Sequence, residues 1–305
     1  VNDPQAKSQW ALTSVDAYDA WSYAQASHSV TVATLDLGCQ VDHPDLAENI
    51  VDPYNSYNAV YGGSTTDVTP NAGSLRNHGT HVAGVIAAVS DNELGVSGIS
   101  YNAYVMPVKV VNANNIAYTD ELLKAYDYVV SKKASRNVRV INLSMGMDGA
   151  IRSDDALLKK VNQAYQKGIV TVAASGNSSS SSSGTVPYTC YPADYGRIVS
   201  VINLEQSGSS VKRSGTSNYN ATGETGKNIS APGTSILSTV ASGDYGTMSG
   251  TSMAAPVVSG VLALEFAANP SLSASDAVTL LYATAKNLGG STWTHGYGWG
   301  EVNAA

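Results

Sequence analysis

The sequence predicts an α/β protein with a doubly wound, mainly parallel central sheet and helices on both faces. Segments rich in Val and Ile alternate along the chain with segments of helical periodicity. This alternation is typical of parallel strands joined by right-handed helical crossovers and covered on both sides. The candidate strands occupy residues 29–36, 104–111, 138–144, 169–175 and 198–204.

Two of the connecting segments carry helix start signals. Thr119 is expected to cap one helix, with Asp120 and Glu121 in its first turn and apolar residues at positions 122, 123, 126, 129 and 130. Ser153 is expected to cap another, which Gly168 ends, with buried positions 157, 158, 161, 164 and 165.

A third helical segment, residues 253–268, is apolar nearly all round and is expected to be a buried central helix. Pro256 lies within about its first turn, where a missing N–H costs little. The apolar stretch 254–268 contains Glu265 and is shorter than the ~20 residues of a membrane helix, so we expect no membrane span.

The serine-rich tract 178–184 is too short for a linker and is interpreted as a mobile surface loop, so residues 1–305 are expected to form a single domain.

Composition narrows the class of protein. The 305 residues are 43% hydrophobic but only 13% charged, and 17 Lys and Arg against 24 Asp and Glu give a net charge of −7. An acidic chain of this kind is not expected to bind nucleic acid. The chain starts at Val1 without an initiator Met and shows no signal peptide, so we expect either a processed form or a trimmed segment of a longer protein.

Three short motifs supply an acid, a base and a nucleophile. Asp36 follows an apolar strand, His78 opens the small and apolar stretch 79–89, and Ser252 precedes the central helix within the sequence Gly-Thr-Ser-Met-Ala-Ala-Pro. A serine hydroxyl needs an imidazole to take its proton, and a carboxylate must orient that imidazole and offset its positive charge. The three residues therefore predict nucleophilic hydrolysis at the carboxyl edge of the sheet.

Each motif has a competing interpretation. His81 could pair with His78 at a metal, but no zincin-type Glu and no third ligand is apparent. Ser249 competes with Ser252 as the nucleophile. The sequence contains no Gly-x-Ser-x-Gly motif, which argues against a lipase or esterase.

These motifs resemble those of the subtilisin-like serine proteases, in particular the thermitase branch, and the resemblance covers essentially the whole chain. It implies that His78 is the base, that His81 is structural and that Ser252 is the nucleophile. The segment 173–177 resembles the one that carries the oxyanion-hole amide. Asn177 and the backbone N–H of Ser252 are therefore expected to hold the developing negative charge.

The same resemblance implies a set of substrate-binding residues. One pocket wall corresponds to Ser144, Met145 and Gly146, and the other to a segment containing Ala174 and Gly176. Asn115 and Ile116 match a strand that pairs with the substrate, Tyr118 borders the fourth pocket, and Cys190 adjoins the first. None of these segments is acidic, so we expect apolar or aromatic residues before the cut bond.

The resemblance also implies a structural calcium ion. Ca²⁺ prefers six or more oxygen ligands. The side chains of Asp3, Asp45 and Asn92 and the carbonyls of Val89, Leu94 and Val96 match the thermitase-like ligand set. A solvated turn is the competing interpretation.

The remaining expectations concern the two cysteines, the location of the protein and its partners. Cys39 and Cys190 could pair or stay reduced, and the implied fold, which places them on different sides of the active site, disfavours a bridge. The expected protein is an exported or cell-surface monomer that acts on proteins or peptides and is made with an inhibitory N-terminal propeptide. A narrow processing protease and an inactive binding module on the same fold are the alternatives.

Overall fold

A computed structural model describes residues 1–26, 28–148, 156–179 and 189–305. Its main sheet contains seven parallel strands in the order β10-β8-β6-β4-β1-β3-β2, with β9 antiparallel to β8 at its side. The strands are β1 (Thr31–Asp36), β2 (Tyr54–Asn55), β3 (Tyr104–Lys109), β4 (Val138–Leu143), β5 (Met147–Asp148), β6 (Val170–Ala174), β7 (Cys190–Tyr191), β8 (Ile198–Ser207), β9 (Ser210–Arg213), β10 (Ile229–Pro232), β11 (Ile236–Val240) and β12 (Asp244–Met248).

The predicted fold class is confirmed, and the five predicted strands form the centre of this sheet as β1, β3, β4, β6 and β8. All six residues of β1 and of β4 are buried, as expected for strands that helices cover on both faces. The chain passes from β1 to β3 on one side and later to β4 on the other. The carboxyl ends of β1 and β4 therefore meet at a topological switch point, where open α/β sheets bind ligands.

Helices cover both faces of the sheet. They are α1 (Trp10–Ser14), α2 (Ala17–Ala20), α3 (Ser56–Tyr61), α4 (His78–Ala87), α5 (Thr119–Ser131), α6 (Lys133–Arg136), α7 (Ala156–Gln166), α8 (Thr251–Ala268) and α9 (Ala274–Ala283). The apolar residues of α4, α8 and α9 share one core with one face of the sheet, and those of α5 and α7 share a second core with the other.

Of the two predicted helix caps, one is displaced by one residue and the other lies outside the described residues. Thr119 is the first residue of α5 rather than its cap: Tyr118 has the extended cap conformation, and its N–H donates to the Glu121 carboxylate at 3.0 Å. The predicted cap Ser153 lies outside the described residues, as does most of the tract 178–184. In α7, Leu157, Val161 and Ala164 are buried, whereas positions 158 and 165 are half-buried.

The central helix α8 is longer than the apolar stretch that the sequence suggested. Its 18 residues are long and apolar enough to cross a membrane by length and composition, which corrects the expectation of a shorter segment. However, 78% of the helix is buried inside the protein, where it packs on β4, β6, β8, β10 and α4. Its apolar surface is thus covered by the protein's own core.

Candidate active site

Asp36 and His78 meet where a strand ends and a helix begins. Asp36 is the last residue of β1 and is buried, and His78 is the first residue of α4. Nδ1 of His78 lies 2.8 Å from Oδ1 of Asp36, and the same oxygen accepts the N–H of Leu37 at 2.7 Å. Gly79 permits this approach, because a Cβ there would lie 2.0 Å from the carbonyl oxygen of Gly38.

The carboxylate influences the protonation of the imidazole. Burial by itself lowers the pKa of His78, but the charge of Asp36 and the hydrogen bond to it raise the pKa, and the net value lies above the usual 6.5. Because Nδ1 faces the carboxylate, Nε2 is the nitrogen that is left for proton exchange.

Ser252 lies in the same cleft as His78, as the second residue of α8. Its hydroxyl donates to the carbonyl oxygen of Ser144 at 3.0 Å, so in this conformation it is directed at the cleft wall. The N–H of Ser252 belongs to the first turn of α8, where backbone donors have no partner within the helix.

The Ser144 side chain, just after β4, replaces a missing helical hydrogen bond at the carbonyl of Ser252. Pro256 is the sixth residue of α8, beyond the first turn where the sequence had placed it, and it cannot donate to the carbonyl of Ser252 four residues earlier. The hydroxyl of Ser144 donates to that carbonyl at 2.8 Å and accepts from Nδ2 of Asn142 at 2.9 Å. Oδ1 of Asn142 in turn accepts from Ser259 on α8 at 2.9 Å, so the cleft wall is tied to the helix.

Asn177 follows β6 at the mouth of the cleft. Its Oδ1 accepts from the N–H of Thr251 at 2.9 Å and from the Thr251 hydroxyl at 3.2 Å. Because these bonds hold the amide oxygen, the side chain offers its Nδ2 donor to the cleft. Thr251, which the sequence analysis did not single out, thus fixes the orientation of the Asn177 amide. Its position next to Ser252 was the one feature of the sequence that could have indicated this role.

His81 and Ser249, the alternatives to His78 and Ser252, do not line the cleft. His81 is fully buried, and its Nε2 donates to the carbonyl of Ile236 at 2.8 Å. Burial lowers the pKa of His81 to about 4, so it stays neutral. The hydroxyl of Ser249 accepts the N–H of Ser235 at 2.8 Å, so it is bound to the segment that precedes β11.

The predicted pocket walls face one another across a cleft of about 380 Å³. Its lining combines the catalytic candidates with both walls and with Leu37 and Leu75, which the sequence did not single out: Leu37, Leu75, His78, Ser144, Met145, Gly146, Ala174, Gly176, Asn177, Ser178, Cys190, Thr251 and Ser252. A Cβ on Gly146 would lie 2.6 Å from Sγ of Cys190, and one on Gly176 would lie 3.3 Å from it. Cys190 therefore lies between the two walls.

The segment predicted to form a substrate-pairing strand is a turn, so that expectation is wrong for its conformation. The N–H of Asn115 donates to the carbonyl of Asn112 at 3.0 Å, and Asn115 has a φ of 60°. The N–H of Ile116 donates to Oδ1 of Asn112 at 3.1 Å. The asparagine side chain closes the turn locally, a competition with strand formation that is common for this residue. Ile116 and Tyr118 are exposed beyond the turn and do not line the cleft described above.

Three of the predicted calcium ligands, Asp3, Asp45 and Asn92, lie together, and both carboxylates are buried. Asp3 accepts the N–H groups of Asp91 and Asn92 at 3.1 and 3.2 Å, and Asp45 accepts from Nδ2 of Asn92 at 2.8 Å and from the N–H of Val96 at 3.0 Å. Burial, together with the nearby charge of Asp3, raises the pKa of Asp45 to about 6 against the opposing hydrogen bonds. No lysine or arginine among the described residues forms an ion pair with either carboxylate.

The donor set around these carboxylates suits a hard cation. Within the described part of the chain, the carbonyls of Val89, Leu94 and Val96 accept no hydrogen bond. No group of three or more His, Cys, Asp and Glu side chains that could hold a metal ion is found among the described residues. The groups available here are carboxylate and carbonyl oxygens, which hard cations prefer.

The two cysteines, both in the described part of the chain, are not joined by a disulfide. Cys39 is buried in the core behind Asp36, and burial together with the charge of Asp36 raises the pKa of its thiol to about 12. A thiol held in this protonated form is a poor nucleophile.

Comparison with known proteins agrees with this geometry. The model of the subtilase family matches residues 27–300. The chain is 33% identical to thermitase from Thermoactinomyces vulgaris, with 99% of this chain and 97% of thermitase covered. It is 35% identical to the extracellular protease of Xanthomonas campestris pv. campestris, with 99% of this chain and 56% of that protein covered. A solved structure described as a protease from Pseudoalteromonas arctica superposes with a TM-score of 0.83 at 30% identity, over 99% of this chain and 97% of that one. The chain therefore belongs to the subtilase family and is a serine endopeptidase.

Proposed function

We propose that this enzyme cleaves peptide bonds through an acyl-enzyme formed on Ser252. The observation that carries the proposal is the 2.8 Å contact between His78 and the buried Asp36 in the cleft that also holds Ser252. In the proposed first step the Ser252 hydroxyl turns from the Ser144 carbonyl toward Nε2 of His78, which takes its proton as Oγ attacks the substrate carbonyl. Rearrangement of a catalytic hydrogen bond on substrate binding is common in ligand-free enzymes.

The tetrahedral intermediate places a negative charge on the former carbonyl oxygen. Two donors can hold it: Nδ2 of Asn177, whose oxygen is fixed by Thr251, and the N–H of Ser252 at the start of α8. Protonated His78 then gives its proton to the leaving amine, and water releases the acyl group by the reverse sequence.

The pocket between Gly146 and Gly176 is proposed to accept the side chain before the cut bond, with a preference for apolar or aromatic residues. Met145, Ala174 and Cys190 are uncharged neighbours of this space. A peptide series that varies only this residue tests the proposal, and a strong preference for Arg or Lys would contradict it. Asn115, Ile116 and Tyr118 remain proposed contacts for residues further upstream.

We also propose that a structural Ca²⁺ is held by the side chains of Asp3, Asp45 and Asn92 and the carbonyls of Val89, Leu94 and Val96. The ion would neutralise two buried carboxylates and connect the N-terminal segment to the 89–96 loop. Binding to the folded form alone would raise the stability of the protein. A calcium-dependent rise in Tm that is lost in Asp45→Asn tests this, with the remote Asp276→Asn as the control.

The proposed setting is extracellular, with an N-terminal propeptide as inhibitor and folding aid. Membership of the subtilase family and the similarity to a protein named as an extracellular protease support it. Detection of the active enzyme in the culture medium of its natural host would test the location.

The decisive experiment on the mechanism is labelling with a fluorophosphonate, which reacts only with an activated serine. We expect the native protein to be labelled and Ser252→Ala to be unlabelled, while Ser249→Ala, the matched control, keeps the label. Labelling that persists in Ser252→Ala would contradict the proposed nucleophile.

A further inference from the structure

A buried ion pair adjoins the backbone of Cys190, a residue that lines the cleft. Nζ of Lys227 is 2.9 Å from both carboxylate oxygens of Asp194, and the two side chains are 2% and 8% exposed. Moving two charges out of water costs desolvation free energy, and the attraction between the charges often does not offset it. A buried ion pair therefore need not stabilise the fold, and another role for it is worth considering.

The carboxylate of this pair also holds the backbone of the pocket. Oδ2 of Asp194 accepts the N–H of Cys190 at 2.8 Å, and the N–H of Asp194 donates to the carbonyl of Cys190 at 2.9 Å. The lysine is fixed as well, because its N–H donates to Oδ1 of Asn220 and its carbonyl accepts from Nδ2 of Asn220, both at 2.8 Å.

The position of Cys190 in turn determines the space between the pocket walls. Its Sγ leaves no room for a Cβ at Gly146, which would lie 2.6 Å away, and would be in tight contact with a Cβ at Gly176, 3.3 Å away. Its strand β7 pairs with β5, which directly continues the wall that ends at Gly146. A backbone shift at Cys190 would therefore change the width of the pocket.

We propose that Asp194, immobilised by Lys227, is a positioning residue that sets the specificity pocket through the backbone of Cys190. The inference rests on the proposed function, because it assumes that this cleft receives the side chain before the cut bond.

Two double variants separate positioning from general stability. Asp194→Ala/Lys227→Met removes both charges and leaves the Cys190 N–H without its acceptor. Asp194→Asn/Lys227→Met also removes both charges but keeps an acceptor oxygen at the same place. Lys286→Met is the control, since it breaks another lysine–aspartate pair, with Asp16, whose two residues do not line the cleft.

The first readout is the ratio of kcat/KM for two peptides that differ only in Phe or Ala before the cut bond. We expect this ratio to change about tenfold in the Ala/Met variant, mainly through KM, which is the scale of one unpaired buried donor. The ratio should stay within about twofold of the parent in the Asn/Met variant and in Lys286→Met. Placed in a Cys190→Ala background, the Ala/Met changes should alter the ratio much less, because the thiol between the walls is already gone.

The second readout is hydrogen exchange of the Cys190 amide, which needs no catalytic activity. Exchange should accelerate in the Ala/Met variant and stay near the parent rate in the Asn/Met variant. Unchanged exchange and an unchanged Phe-to-Ala ratio in the Ala/Met variant would overturn the inference, as would equal effects of the two double variants. A parent protein that fails to label with a fluorophosphonate would refute the proposed function instead, and the exchange result would still decide whether Asp194 holds Cys190.

Discussion

Replacing Ser144 by Ala should loosen the start of α8 without changing the Ser252 side chain. Its hydroxyl is the donor to the carbonyl of Ser252, a carbonyl that lacks its helical partner because position 256 is proline. Ser144 is 2% exposed, so water does not readily replace the lost donor. The change leaves the Ser252 carbonyl and Nδ2 of Asn142 without the partners that Ser144 gave them.

The expected cost follows from these two lost bonds. A buried polar group left without a partner costs about 1–3 kcal/mol, and relaxation around the new methyl group reduces the sum of two such penalties. We therefore expect Ser144→Ala to lower the free energy of unfolding by about 1–3 kcal/mol. At roughly 2–4 °C per kcal/mol, the scale for domains of about 150–250 residues, Tm of this 305-residue chain should fall by at most several degrees.

A double-mutant cycle with Pro256→Ala isolates the bond to the carbonyl. Alanine at position 256 restores an N–H that can donate to the Ser252 carbonyl, so Ser144→Ala should cost less in the presence of Pro256→Ala. The unpaired amide of Asn142 is common to both backgrounds and cancels from the comparison. We expect a coupling of about 1 kcal/mol, well above the ~0.3–0.5 kcal/mol within which independent changes add.

The assay is urea unfolding followed by near-UV circular dichroism, with every variant built on Ser252→Ala to prevent self-digestion. That substitution keeps the backbone carbonyl whose partners are being tested. Additive changes in the free energy of unfolding would contradict the proposed bond, as would an unchanged unfolding midpoint in Ser144→Ala. Either result would mean that the bond from the Ser144 hydroxyl to the Ser252 carbonyl does not stabilise the protein.

Three further predictions concern catalysis and pH. Asn177→Ala should lower kcat by about 10²–10³ with little change in KM, the loss known for the equivalent donor in subtilisin, and steady-state kinetics on one peptide measures it. The proposed mechanism needs neutral His78, so kcat/KM should fall as the pH drops through an apparent pKa above 6.5, and an acid limb below 6.5 would contradict the raised pKa of His78. Burial raises the pKa of Glu265 to about 8 from 4.5, so between these values the folded state keeps a proton that the unfolded state has released, and stability should decline with rising pH. Glu265→Gln should flatten that decline in Tm measured from pH 5 to pH 8.

The features that the sequence predicted correctly depend on local patterns. The central strands appear as runs of Val and Ile, and each catalytic candidate lies beside a strand end or a helix start that the same patterns indicate. The turn at Asn115 escaped prediction because it depends on a side chain, that of Asn112, closing on its own backbone instead of leaving the segment extended. Tyr118 escaped as a cap because its backbone conformation, together with the reach of Glu121, replaces the usual short polar side chain.

Contacts between distant segments could not be predicted from one sequence. Ser144 and Ser252 are 108 residues apart, and Asp194 and Lys227 are 33 apart. Pro256 alone indicated a missing helical bond, but nothing near it in the sequence showed which donor would replace that bond. The pairing of a buried lysine with an aspartate likewise leaves no local pattern, because the two residues come from different loops.

The register of three neighbouring strands explains why the catalytic and pocket residues lie so close together. Leu35 is paired with Leu143, and Leu143 with Ala173, so the next residues, Asp36 and Ala174 at their strand ends and Ser144 just beyond β4, lie side by side. Adjacent strands are about 4.8 Å apart, which places Asp36, Ser144 and Ala174 in a row less than ~10 Å long. Asp36, the cleft wall tied to Ser252 and the opposite wall are thus spaced by backbone pairing. A slip of β4 by one residue would turn Ser144 to the other face and break its bond to Ser252. The all-buried strands oppose such a slip, so the same apolar residues that form the two cores also hold the spacing of the active site.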